Sequence, residues 1–122
     1  MGGTRLRPDQ LYGFVGLIRK SGKLVFGSDA VSRSIQAGRA MLVLVSKDAG
    51  DATVRRFVGE CSRFAVPLVR AGDRAGLGRV VGKNAVSVLA VTDSSMATAI
   101  LAKLGMEESQ VLRGDRNRQG GS

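Results

Sequence analysis

In residues 10–20, Leu11, Phe14, Val15 and Ile18 recur three, four and seven positions apart, the spacing that lines one face of a helix. Pro8 and Asp9 open that helix and Ser21-Gly22 stop it. Residues 23–26 read as a short strand. Gly27-Ser28-Asp29 then reads as the cap of a second helix, with Val31, Ser34, Ile35 and Gly38 along one side and Gly38 suited to end it. Residues 41–45 are an unbroken apolar run, which predicts a strand covered on both faces. After a turn over 48–51, a third helix spans 52–65. It turns Val54, Phe57, Val58, Cys61 and Phe64 inward and leaves Arg55, Arg56 and Arg63 outside. A short strand over 66–69 follows. Asp73 caps a helix over 74–81, residues 85–91 form the last buried strand, and Asp93-Ser94-Ser95 opens a final helix that runs to Leu104 and ends at Gly105.

The alternation is α-β-α-β-α-β-α-β-α. Buried strands joined by crossover helices predict an α/β fold, a three-layer α/β/α sandwich around a small four-stranded mixed sheet. At 122 residues the chain is one domain with room for a real core. Its expected organisation is a flexible N-terminus (1–7), the folded domain (8–105) and a disordered polar tail (106–122).

Charge changes the picture. The chain carries a formal net charge of +9. In the tail, Glu107, Glu108 and Asp115 balance Arg113, Arg116 and Arg118, so the excess falls on the folded part. Most of the cations are arginine, which grips phosphate through paired N–H groups. A basic domain of this kind points to nucleic acid. The absence of histidine removes His-based triads and nearly every zinc site. The one cysteine, Cys61, lies in the inward stripe of a helix and reads as core, which fits a reducing compartment. No apolar signal core or membrane-length run is visible, so a soluble, cytoplasmic protein is expected.

The stretch Leu77-Gly78-Arg79-Val80-Val81-Gly82-Lys83-Asn84 carries the most information. Its glycines allow close backbone approach and its cations suggest an anion. It is not a phosphate-binding P-loop: one residue too few separates the glycines, Asn84 stands where Ser or Thr is needed, and a helix rather than a strand precedes it. It is not a dinucleotide fingerprint either, because Gly76, Gly78 and Gly82 are wrongly spaced and no acidic residue serves a ribose. Asp29, Asp48, Asp73 and Asp93 each stand at a helix start or turn, where aspartate caps helices. No catalytic or metal-ligating set emerges, and no cofactor is implied.

Five segments, in order, resemble one family: 16–27, 35–48, 66–69, 77–83 and 90–93. The chain resembles the superfamily of small ribosomal and kink-turn RNA-binding proteins founded on archaeal and eukaryotic large-subunit proteins, and more closely its bacterial YlxQ-like branch. The resemblance covers residues 8–105. It implies an α/β/α domain that binds kinked RNA helices containing sheared G·A pairs through two surfaces. The first would be the helix start after the first strand, here Gly27, Ser28, Asp29, Ala30 and Arg33. The second would be the loop carrying Lys83, Asn84 and Ala85, held by the helix with Gly78, Arg79 and Gly82. Asp29 stands where the family pattern has Asn, and Ala30 where it has Glu. Arg33 keeps the cation of the pattern's Lys, and Lys83 fills a position that is usually apolar.

Read from the residues alone, the first surface is a helix start whose amides can take phosphate, with Lys23 on the neighbouring strand and Arg33 one turn on. Asp29 serves either as a cap or in RNA contact, and Arg79 either touches RNA or pairs with Asp73 or Asp48. Val80 and Val81 are expected to split, one inward and one lining the loop surface. The expectation is a monomeric, non-enzymatic protein whose partner is structured RNA, of kink-turn or ribosomal type, and which has no membrane partner. The alternative is a protein-interaction or ribosome-assembly module of the same fold. Low aromatic content argues against a binder that stacks single-stranded bases.

Overall fold

The computed structural model describes residues 7–104. The readings of residues 1–6, of Gly105 as a helix stop and of the 106–122 tail lie outside them. The elements are α1 (Pro8–Lys20), β1 (Leu24–Phe26), α2 (Ser28–Gln36), β2 (Leu42–Val45), α3 (Asp51–Phe64), β3 (Leu68–Arg70), α4 (Arg74–Val80), β4 (Val88–Val91) and α5 (Ser94–Lys103). The sheet order is β1-β4-β2-β3. β4 runs antiparallel to both β1 and β2, while β2 and β3 are parallel.

This is the expected α/β/α sandwich with a mixed sheet, and its two faces are divided by strand alternation. Leu42, Leu44, Leu89 and Val91 turn to one side, where Leu11, Val15, Ile18, Leu77 and Ile100 bring in α1, α4 and α5. Val43, Val45, Val88 and Ala90 turn to the other, against Val31 and Ile35 of α2 and Phe57 and Cys61 of α3. Every residue of β2 and β4 is buried, which is why neither reads as alternating in the sequence.

Three expectations need correction. The third strand begins at Leu68, not Val66. The Val66 N–H closes the end of α3 on the Cys61 carbonyl at 2.9 Å, and Pro67, with no N–H, offers only its carbonyl to Val43 at 2.9 Å. The last strand begins at Val88, not Ala85. Val86 donates instead to the Arg74 carbonyl at 3.0 Å, so residues 85–87 are loop packed on α4. In α3, Phe57 and Cys61 are buried, but Val58 and Phe64 stay 37% and 42% exposed. They flank the inward stripe rather than belong to it.

Candidate nucleic-acid interface

Leu77, Gly78 and Gly82 build a helix-to-loop corner. α4 has only seven residues and two internal glycines, so packing and caps must hold it. Asp73 caps it, with Oδ1 accepting the Gly76 N–H at 2.7 Å. The Tyr12 hydroxyl accepts the Asp73 N–H at 2.9 Å and donates to Asp73 Oδ1 at 3.2 Å, tying α1 to the same cap. A Cβ on Gly76 would overlap the Tyr12 ring. A Cβ on Gly78 would stand 2.8 Å from the Ala85 Cα and N and from the Lys83 carbonyl oxygen, all backbone. At the other end, Gly82 has φ +75°. The Lys83 N–H returns to the Gly78 carbonyl at 2.8 Å and the Gly82 N–H to the Arg79 carbonyl at 3.3 Å, a glycine-terminated Schellman motif. Of the glycines that resembled a nucleotide fingerprint, Gly76 and Gly78 therefore lie inside a helix and are spent on packing, and Gly82 turns the chain just past its end. Arg79, Lys83, Asn84 and Ala85 are left exposed on the outside of the corner.

The sheet sets this corner beside the start of α2. β1 ends at Phe26, paired with Leu89, and the Gly27 N–H donates to the Val88 carbonyl at 3.0 Å. The loop from Lys83 to Ser87 feeds into that residue, so both predicted segments meet at one end of the sheet. Gly27 is the helix N-cap with φ +91° and ψ 151°, a conformation open essentially to glycine. No side chain caps α2, unlike α4 and α5, whose caps are Asp73 and Asp93. Ser28 and Asp29 occupy its first two positions, with Asp29 exposed and Ala30 half-buried. The helix thus presents its positive end without a side-chain acceptor of its own.

Lys23 and Arg33 are placed differently. Lys23 precedes β1, about 13 Å along the strand from Gly27, and its carbonyl accepts the Thr92 N–H at 2.9 Å. It lies at the opposite end of the sheet. Arg33 stands in the last turn of α2 and lines a shallow groove of about 750 Å³ with Val25, Ala30, Arg39 and Thr92. Arg79 makes no ion pair among the described residues; Asp48 pairs instead with Arg74 at 3.5 Å. Val81 is buried, but Val80 faces α1 at Gly16 and not the loop surface, and its carbonyl accepts from Arg19 Nη1 at 3.1 Å.

Sequence reasoning missed Tyr12 and Lys47. The Ser46 N–H donates to the Ser87 carbonyl at 2.9 Å, so the loop after β2 adjoins the 83–87 loop and adds exposed Lys47 to this end. Arg70 braces that loop, reaching the Ser46 carbonyl at 3.0 Å and the Lys47 carbonyl at 3.1 Å through Nη2. A cation two residues past the last residue of a buried strand was the available signal for Lys47.

The remaining chemistry is structural. Burial pushes the Cys61 thiol up to about 12, so at neutral pH it is an unreactive core group. The Met96 N–H, then the Ser95 hydroxyl, hold the Asp93 carboxyl below its ordinary range. No cluster of potential metal ligands and no helix long and apolar enough to cross a membrane occurs among the described residues.

Residues 9–101 match the model of the ribosomal protein L7Ae/L30e/S12e/Gadd45 family. The RNA-binding protein YlxQ of Bacillus subtilis (strain 168) is 38% identical over 90 residues, which cover 74% of this chain and 90% of that protein. The RNA-binding protein YlxQ of Enterococcus faecium is 26% identical over 83 residues, 68% of this chain and 80% of that one. A solved structure of a protein with unknown function from Bacillus halodurans C superposes with TM-score 0.73 at 28% identity, covering 78% of this chain and 96% of that chain. The Giardia lamblia 15.5kD RNA binding protein shares the fold, with TM-score 0.66 at 21% identity over 77% of this chain and 83% of that one.

Proposed function

The chain belongs to this family, and from its membership and its surface together we propose that it is a non-enzymatic RNA-binding protein. It takes structured RNA of kink-turn or ribosomal type on the sheet end formed by the start of α2 and the 83–87 loop, and does so in the cytoplasm. The observation that carries this is the Gly27 N–H to Val88 carbonyl bond at 3.0 Å, which joins an uncapped helix start to a loop bearing Lys83. Phosphates meet the amides and cations there, while base edges meet the few side chains at positions 28–30.

A gel-shift comparison of a kink-turn duplex, a hairpin and a plain duplex tests the reading. The kink-turn is bound most tightly, with affinity falling steeply as salt rises. Equal affinity for kink-turn and plain duplex would remove the kink specificity and leave general RNA binding. Lys83→Ala weakens binding roughly fivefold with an unchanged melting temperature. Exposed Asp29 and the missing Glu at Ala30 favour the protein-interaction module as the second reading. Absence of binding to all three RNAs would establish it over the first.

A further inference from the structure

The outer face of α3 is unused by the surface described above. Its inner stripe is spent on Phe57 and Cys61, while Arg55, Arg56 and Arg63 are all exposed, with Ala52 and Gly59 between them on the same side. Only Arg56 has an acidic partner among the described residues: its Nε donates to Glu60 at 3.2 Å, and Glu60 also accepts the Ser32 hydroxyl at 2.7 Å. Arg55 and Arg63 stand eight residues, about 12 Å, apart along the axis, and neither forms an ion pair among the described residues, although Asp51 lies one turn before Arg55. Arg63 rests over the half-exposed Phe64 ring, 5.8 Å from its centroid. Small residues between guanidinium groups leave a flat, positively charged shelf that a bulky backbone can approach.

Topology connects this shelf to the first surface. β1 and β2 are both antiparallel to β4 and hence parallel to each other, so α2 and α3 leave the sheet from the same end. The two helices also pack together, Ser32 of α2 against Glu60 of α3. The Arg55 end of α3 therefore lies on the same side of the sheet as Gly27.

We propose that the arginine face of α3 is a second RNA contact, holding the sugar–phosphate backbone of the helical segment that runs on from the α2 surface. It rests on the reading under Proposed function. The contact is to phosphate and reads no sequence, since the shelf presents guanidinium groups and Glu60 is already engaged by Arg56 and Ser32.

Salt-dependent binding of the full chain tests it, using one kink-turn RNA with a long flanking stem and one trimmed close to the kink. Arg55→Ala/Arg63→Ala binds the long RNA about tenfold more weakly at low salt and loses about two from the slope of log affinity against log salt. It binds the trimmed RNA like the parent, and Arg55→Lys/Arg63→Lys restores most of the slope. A parental slope on the long RNA, with Lys83→Ala still impaired, would overturn the α3 contact and leave the first surface standing. An equal loss on both RNAs would overturn its placement on the flanking stem. If neither the double variant nor Lys83→Ala alters binding, the first surface falls as well.

Discussion

The two halves of the proposed surface are built in opposite ways. The α4 corner is closed on every side: Asp73 and Tyr12 hold its start, the Ala85 backbone lies against Gly78, and Gly82 turns its end. The start of α2 is pinned at one point, Gly27 on Val88, and its next side chains touch no cap. Packing therefore decides where Lys83 stands, whereas exposed Asp29 can change its chemistry without repacking anything. One half supplies a rigid cationic loop and the other an adjustable reading head. Substitutions in the corner should act first on folding, and those at the α2 start first on RNA.

Gly78→Ala gives the largest effect. Its Cβ meets three backbone atoms at 2.8 Å, and backbone cannot swing aside as a flexible side-chain tip can. Overpacking exceeds the helix-propensity gain of alanine, leaving a net loss of about 2 kcal/mol. The melting temperature falls by roughly 10 °C, and RNA affinity falls with it as the loop is pushed outward. An unchanged melting temperature would show that residues 83–85 yield easily, and the contrast between a rigid and an adjustable half would be lost.

Tyr12→Phe comes next. It removes both hydrogen bonds to Asp73 and leaves the ring in place, costing about 1 kcal/mol in chemical denaturation at neutral pH. The pH dependence has a definite sign. Burial, the largest influence, raises the Tyr12 phenol above its ordinary 10.0, so the folded state favours the neutral hydroxyl. That contribution is complete below pH 10 and is lost as pH rises through the folded value. The parent should therefore weaken in alkali more than Tyr12→Phe does. Parallel alkaline curves for the two proteins would mean that this phenol does not secure the corner.

The same contrast explains what could be read from the chain. Apolar runs, 3.6-residue stripes and helix-capping residues located all nine elements of the described residues, and the uniform burial of β2 and β4 explains why their runs are unbroken. The spacing of Gly78 and Gly82 marked the corner, because close packing and a left-handed turn each demand glycine there. Tyr12 escaped notice because its partner Asp73 is 61 residues away, and a lone tyrosine in a helical stripe carries no local sign of it. Lys23 was drawn toward Gly27 by sequence proximity, although an extended strand carries four residues nearly the full length of the sheet. Val86 looked like strand because loop packing against a helix needs the same apolar residue as a ladder does.

Asp29→Asn is the smallest perturbation and probes the adjustable half most directly. Asp29 is exposed at the second position of α2 and makes no capping bond, so only its interaction with the helix's positive end is lost. That is worth a few tenths of a kcal/mol, a shift of one to two degrees at most. Near phosphates the carboxylate repels, and an amide of the same shape adds a donor. Affinity for a kink-turn RNA should therefore rise about threefold, most clearly at low salt. Opposite signs for binding and stability are the signature of a residue that faces the ligand while leaving the fold to others. A loss of a full kcal/mol with unchanged affinity would assign Asp29 to the helix. The α2 half would then contribute only Gly27 and backbone amides, and the side-chain reading would rest on the corner alone.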